Sequence, residues 1–211
     1  MNRALRLAEA RLYLVLEARP HGAEPHALLD AALRGGVDIV QLRDKDLPAD
    51  ELVRAAEPFR RACDAHGALF VLNDRPELVE ACGADGVHVG RGDASAAEAR
   101  ALVGPDRLVG LSASTLAQVD DVAGGDYVGV TVFGTPTKED AVAGGLELVR
   151  AAAARLRVPW FAIGGIELAN AAEVAAAGAP GIAVVRAIRD ADDPEAAARS
   201  LRAALGEPPS A

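Results

Sequence analysis

Two aspartates and three cations lie at or just beyond the ends of short apolar runs. They are Asp74 in Asn73-Asp74-Arg75, Asp93 in His88-Val89-Gly90-Arg91-Gly92-Asp93, Arg43 and Lys45 in Gln41-Leu42-Arg43-Asp44-Lys45, and Lys138 in Thr135-Pro136-Thr137-Lys138. Carboxylates far apart in sequence, facing cations, are what a hard divalent ion bridging protein to phosphate oxygens requires. Mg²⁺ suits such a site because it takes one or two protein ligands and keeps several waters. The cations would then complete a diphosphate site. Any one of these aspartates, alone, reads equally well as a solvated or salt-bridged loop acid. The diphosphate reading rests on several run ends converging on one place.

A second zone has different chemistry. Gly164-Gly165 closes one apolar run, and Val185-Arg186 closes the next at the start of a helix. Glycine lets the backbone itself approach an anion, and helix-start N–H groups bind phosphate. Thr135 and Thr137 could add hydroxyl donors to the same phosphate. Other conspicuous residues take plainer readings: His88 as a hydrogen-bonded packing residue, Trp160 as core, and Tyr13 as either packing or stacking on a flat ring. The acids from Asp190 to Asp193, before Pro194, read as a helix start favoured by the dipole.

The elements that must position these residues follow from the pattern of the chain. Eight apolar runs recur: 12–16, 38–43, 68–73, 85–90, 107–112, 126–130, 159–163 and 181–185. They lack polar alternation, as parallel strands covered on both faces do. Between and after them lie Ala/Leu/Glu/Arg-rich helical stretches at 25–34, 49–65, 76–81, 96–102, 115–122, 146–156, 169–177 and 194–205. Most helices end at a glycine that can take a positive φ. The expected fold is α/β, a single (β/α)8 TIM barrel over residues 1–211, with an ordered core at about 12–205 and a short frayed C-terminal tail. A doubly wound sheet is disfavoured because no GxGxxG follows the first strand. In such barrels the strand C-termini form the active-site mouth, which is where the polar residues fall.

Composition narrows the function. With 22 Lys+Arg against 31 Asp+Glu, the net charge of −9 argues against a general binder of nucleic acid or anionic membrane, so any anionic ligand needs a local basic site. Two cysteines, Cys63 and Cys82, provide neither a disulfide framework nor a zinc cluster. The N-terminal apolar run is too short and too charged for a signal peptide or a membrane span. The expectation is a cytoplasmic protein.

GVDIVQLRDKD, NDR, HVG followed after Arg91-Gly92 by Asp93, GLSAST, TPTK and AIGGI occur in this order and at barrel spacing. Over about Leu12 to Leu205 the chain therefore resembles the thiamine phosphate synthases. The resemblance implies a transferase that joins 4-amino-2-methyl-5-hydroxymethylpyrimidine diphosphate to 4-methyl-5-hydroxyethylthiazole phosphate, with Mg²⁺, releasing pyrophosphate and thiamine phosphate. It places Asp74 and Asp93 on the metal, and Arg43, Lys45, Asn73, Ser112 and Lys138 around the diphosphate. Of these, Arg43, Lys45, Ser112 and Lys138 are the expected catalytic groups. Gln41 would face the aminopyrimidine, and Thr135, Thr137, Gly165, Val185 and Arg186 would surround the thiazole phosphate. A homodimer is implied in the same way. The chain departs from the family pattern in a strand 6 loop about one residue short, in Arg91 where glutamine is usual, and in Arg186 where serine is usual. A thiazole tautomerase-like protein and a noncatalytic phosphate-sensing barrel are the alternatives, and neither needs Asp74, Asp93 and the three cations together.

Overall fold

A computed structural model describes residues 2–90, 92–134 and 144–206. The elements are α1 (Arg3–Glu9), β1 (Leu12–Leu16), α2 (His26–Arg34), β2 (Ile39–Leu42), α3 (Ala49–His66), β3 (Leu69–Asn73), β4 (Gly86–Val89), α4 (Ala96–Val103) and β5 (Leu108–Ala113). They continue with α5 (Leu116–Asp120), β6 (Tyr127–Thr131), α6 (Gly145–Arg155), β7 (Trp160–Ile163), α7 (Leu168–Ala176), β8 (Ile182–Val184), α8 (Arg186–Arg189) and α9 (Pro194–Ala204). The eight strands close into a parallel barrel in sequence order, β1 pairing with both β2 and β8. The (β/α)8 expectation is met. The tail expected to fray lies outside the described residues from 207 onward.

Two elements differ from the sequence reading. The stretch 76–81 is a single 3-10 turn at Pro76–Leu78 followed by turns, not an α-helix. Its backbone bonds are mostly i→i+3, Leu78 N–H to Arg75, Val79 N–H to Pro76 and Gly83 N–H to Glu80, and the chain turns away at Gly83, whose φ is 64°. The N-terminal residues form α1, which plugs the lower end of the barrel. Its Leu7, together with Ala10 at the C-cap, packs on Tyr13, Ile39 and Leu69. Burying Leu7 is worth about 1.5–3 kcal/mol.

The strands face two apolar layers. Leu14, Val40, Phe70, Val109, Val128 and Trp160 point outward to the helices, whereas Tyr13, Val15, Ile39, Val71, Tyr127 and Phe161 point into the barrel. Burial on both faces explains why the runs show no alternation. Cys63 and Cys82 are buried, unpaired thiols of the outer layer. No helix among the described residues is long and apolar enough to cross a membrane.

At the barrel's lower end, an aspartate precedes each of β2, β4 and β6. Asp38 accepts from the Leu12 N–H at 3.0 Å and from Arg202 at 2.6 Å. Asp85 accepts from Phe70 N–H at 3.0 Å and pairs with Arg3 and Arg60, each at 2.8 Å. Asp126 accepts from Val109 N–H at 2.7 Å and pairs with Arg100. Each carboxylate thus ties its own strand to the start of the preceding one. Pro180-Gly181 precede β8 instead, and the Pro180 carbonyl accepts from Arg11 Nε at 3.0 Å.

Candidate active site

A cavity of about 430 Å³ opens at the C-terminal ends of the strands. Of the residues singled out in the sequence, it is lined by Gln41, Arg43, Lys45, Asn73, Asp74, Asp93, Ser112, Gly165, Val185 and Arg186, contributed by β2 to β5 on one side and β7 and β8 on the other. Thr135, Thr137, Lys138 and the Arg91 substitution lie outside the described residues.

The acidic corner is built by β3 and β4. Asp74 N–H donates to the His88 carbonyl at 2.8 Å, and Asp74 and Arg75 then turn into the left-handed region, at φ 53° and 52°. A non-glycine residue there costs of order 1–2 kcal/mol, least for Asp and Asn, so the turn is held by its surroundings. The Asp74 carboxylate accepts from Asn73 Nδ2 at 2.7 Å and from Lys45 Nζ at 3.1 Å. Asp93 reaches back to the Gly90 N–H at 3.0 Å. Burial pushes the Asp93 carboxyl above its usual range, and so do the hydrogen bond and charge of Asp74, against the pull of Lys45 and the Gly90 N–H. Two carboxylates close enough to share a proton, beside one lysine, make a site short of positive charge. Among the described residues Arg43 has no ion-pair partner, which leaves its guanidinium available to a ligand.

The floor is aromatic and polar. Inward positions one step from the top of β2, β4 and β5 carry Gln41, His88 and Ser112, and they join through Tyr13 and Tyr127 in one hydrogen-bonded row. Glycines on neighbouring strands make the room. A Cβ at Gly110 would lie 2.1 Å from the Tyr127 ring, and one at Gly129 would lie 3.3 Å from His88. His88 is therefore hydrogen-bonded, as expected of a packing residue, but it also lines the cavity, as does Tyr13. Trp160 is buried in the outer layer, as the sequence reading has it.

The phosphate corner lies across the mouth. Gly164 and Gly165 both have positive φ, 100° and 60°, which turns the backbone after β7 along the cavity wall. The loop is braced by Asn170 Nδ2 donating to the Gly165 carbonyl at 2.9 Å. Next to it α8 begins at Arg186, and the first N–H groups of a helix have no intrahelical acceptor. Arg186 sits 3.7 Å from Glu167. Sequence reading missed Arg189, which lines the cavity and pairs with Glu17 at 3.0 Å and with Asp190 at 2.6 Å. The spacing Arg186-Ala187-Ile188-Arg189 carried that signal, since helical residues three apart share a face. Asp193 caps α9 by accepting from Ala196 N–H at 3.0 Å, so the acid run includes a helix start, as read.

These two corners, one with paired acids and cations and one with bent backbone and a helix start, can hold two anionic ligands at once over the aromatic and polar floor. A family model described as thiamine monophosphate synthase matches residues 12–188. The thiamine-phosphate synthase of Thermobifida fusca (strain YX) is 48% identical over 205 residues, covering 95% of this chain and 94% of that protein. That of Arthrobacter sp. (strain FB24) is 46% identical over 226 residues, covering 94% and 95%. Among solved structures, the thiamine phosphate pyrophosphorylase from Pyrococcus furiosus aligns with a TM-score of 0.85 at 32% identity, over 95% of this chain and 97% of that one.

Proposed function

The chain belongs to the thiamine monophosphate synthase family and is a transferase of thiamine biosynthesis, and on that premise we propose how its cavity divides the work. The pyrimidine diphosphate binds with its diphosphate against Arg43, Lys45, Asn73, Ser112 and Lys138 and its ring toward Gln41. The thiazole phosphate binds at Gly165, Val185, Arg186, Thr135 and Thr137. The observation that carries this division is the Asp74–Asp93 pair beside Lys45, on the opposite side of one cavity from the positive-φ turn at Gly164-Gly165.

The donor set fits Mg²⁺. Asp74 and Asp93 offer hard carboxylate oxygens that would hold the ion, and a divalent cation would relieve their mutual repulsion. When bound, the ion would neutralise charge developing on the departing diphosphate.

The bond that breaks joins the pyrimidine CH₂ to the diphosphate oxygen, and its electron pair leaves with the diphosphate. The electron-rich aminopyrimidine delocalises the cation left behind, so departure precedes attack by the thiazole nitrogen. No general base and no covalent nucleophile is needed. The protein stabilises leaving-group charge through Arg43, Lys45, Ser112 and Lys138, the last following the leaving group. Val15, Ile163 and Ala183, along the cavity wall, exclude water that would trap the cation.

The test is product formation from the two purified substrates with Mg²⁺; no thiamine phosphate would refute the reading. A tautomerase or a sensor has no use for the paired acids beside Lys45. A homodimer belongs to the same reading and predicts twice the chain mass by light scattering. Cytoplasmic location does too, supported by two free buried thiols, and is tested by cell fractionation.

A further inference from the structure

The row of hydrogen bonds across the floor has a direction. Gln41 Nε2 lies 2.6 Å from the Tyr13 hydroxyl, which lies 3.0 Å from the Tyr127 hydroxyl. The Tyr127 hydroxyl lies 3.3 Å from His88 Nδ1, and His88 Nε2 lies 3.0 Å from Ser112 Oγ. Each hydroxyl owns one proton, and a neutral imidazole carries one N–H and one acceptor nitrogen. Once the Ser112 proton is committed outside the row, the direction of every link follows in turn.

Two arrangements satisfy every link and leave neither buried tyrosine proton without an acceptor in the row. In one, the Gln41 amide N–H donates to Tyr13, Tyr13 to Tyr127, Tyr127 to His88 Nδ1, and His88 Nε2–H to Ser112, whose own O–H donates onward. In the other every donor becomes an acceptor: Ser112 donates to Nε2, and Tyr13 donates to the Gln41 carbonyl. Passing between them rotates hydroxyls, turns the amide over and exchanges the imidazole proton between its nitrogens, with no net gain or loss of protons. Burial raises both tyrosines above their usual range and keeps the hydroxyls protonated.

We propose that the row Gln41–Tyr13–Tyr127–His88–Ser112 is a specificity device that reads both ends of the pyrimidine substrate together. This rests on the substrate placement above. A diphosphate oxygen only accepts, so contact with it makes Ser112 a donor and fixes the first arrangement. Gln41 must then spend an N–H on Tyr13 and turn its carbonyl to the cavity, where it accepts from an amino group on the ring. A ring bearing a carbonyl in that place meets an acceptor instead. Tyr13, Tyr127 and His88 are positioning residues in this device, and Gln41 and Ser112 touch the substrate.

The experiment uses the full chain and its Tyr127→Phe variant, which keeps the ring packed edge-on to Phe161 at 6.0 Å and removes only the hydroxyl. The first readout is the ¹⁵N spectrum of His88 with Mg²⁺ and inorganic pyrophosphate bound. The parent should show the proton on Nε2, and Tyr127→Phe, in which Ser112 still donates to pyrophosphate, should keep it there while the Nδ1 resonance loses its hydrogen bond. The second is the ratio of kcat/KM for the 4-amino substrate to that for its 4-oxo analogue, which should fall about tenfold in Tyr127→Phe, a typical size for coupling between sites. Should Tyr127→Phe fail to fold, Tyr13→Phe breaks the row one link earlier and should lower the same ratio while leaving the proton on Nε2. An Nδ1 proton in the parent under pyrophosphate, or an unchanged ratio in the folded variant, overturns the proposal. Inactivity of the parent on the 4-amino substrate would overturn the substrate placement instead.

Discussion

Replacing Asp74 by Asn isolates charge from shape at the acidic corner. The backbone there has φ 53°, and Asn is among the few L residues that adopt this conformation readily, so the turn should survive. The amide oxygen can still accept from Lys45 Nζ, now at 3.1 Å from the carboxylate, but the charge is gone. A unit charge about 4 Å from another near a protein surface is worth about 4 kcal/mol. If an amide oxygen and added water recover a third of that, about 2.7 kcal/mol of leaving-group stabilisation is lost, which is about a hundredfold in rate. The Mg²⁺ concentration for half-maximal activity should also rise. The assay is steady-state synthesis across a Mg²⁺ titration, paired with thermal unfolding. Asp74→Ala serves as the contrast, because it removes the charge and also puts an unsuited residue at positive φ. It should lose a further 1–2 kcal/mol of stability, roughly, or about 2–4 °C of Tm for each kcal/mol. Asp74→Asn activity within about threefold of the parent at limiting Mg²⁺, less than 1 kcal/mol, would refute the role given to this carboxylate.

Excess EDTA should abolish synthesis while moving Tm little, since two rim carboxylates contribute little to the core; undiminished turnover would exclude the metal. Gly165→Val should raise KM for the thiazole phosphate far more than for the pyrimidine diphosphate. Its Cβ would press on Phe133 Cβ at 3.1 Å from a backbone at φ 60°, and equal effects on both substrates would mean that the two anion corners are exchanged. Trifluoromethyl in place of the pyrimidine methyl should slow single-turnover synthesis by orders of magnitude by destabilising the cation, whereas a concerted displacement would show only a small effect. Cys63, its thiol pushed up to about 12 by burial, should resist iodoacetamide at pH 8 in the native protein and react once it is unfolded; rapid native labelling would contradict its place in the core.

The strands and the mouth were legible because each uses a local signal. Apolar runs, most of them bounded by Gly, Asp or Pro, mark the strands, and the polar residues or glycines that close most of them mark their upper ends. What stayed hidden depends on packing between distant segments. Helix α1 has ordinary helix formers and only one buried residue, Leu7, so no apolar stripe announces it; its place comes from the open barrel end it fills. The 3-10 turn at Pro76 looks like a helix start by composition, but the left-handed pair Asp74-Arg75 before it redirects the chain. Taken one at a time, His88 reads as a packing residue and Tyr13 as either packing or stacking on a flat ring. Their second role needs the register that sets Asn73 opposite His88 and Ser112 opposite Gly129.

The same residue type serves opposite ends of this barrel, and position rather than identity decides its use. Asp38, Asp85 and Asp126 stand just before strands, where each meets a backbone N–H of the preceding strand and an arginine, so its charge is spent within the fold. Asp74 and Asp93 stand just after strands, where the described partners are each other, one lysine, one amide and one backbone N–H, which leaves the pair short of positive charge. In a chain of net charge −9, that local shortage beside Arg43 is what supports the proposed binding of a diphosphate with a metal ion at this corner. Neutralising an aspartate below the strands should therefore cost stability, and neutralising one above them should cost activity. Asp85→Asn and Asp74→Asn form the matched pair: a large Tm loss for the first with kcat retained below its Tm, and the reverse for the second. A Tm loss at Asp74→Asn as large as at Asp85→Asn would mean that the upper pair, too, is structural.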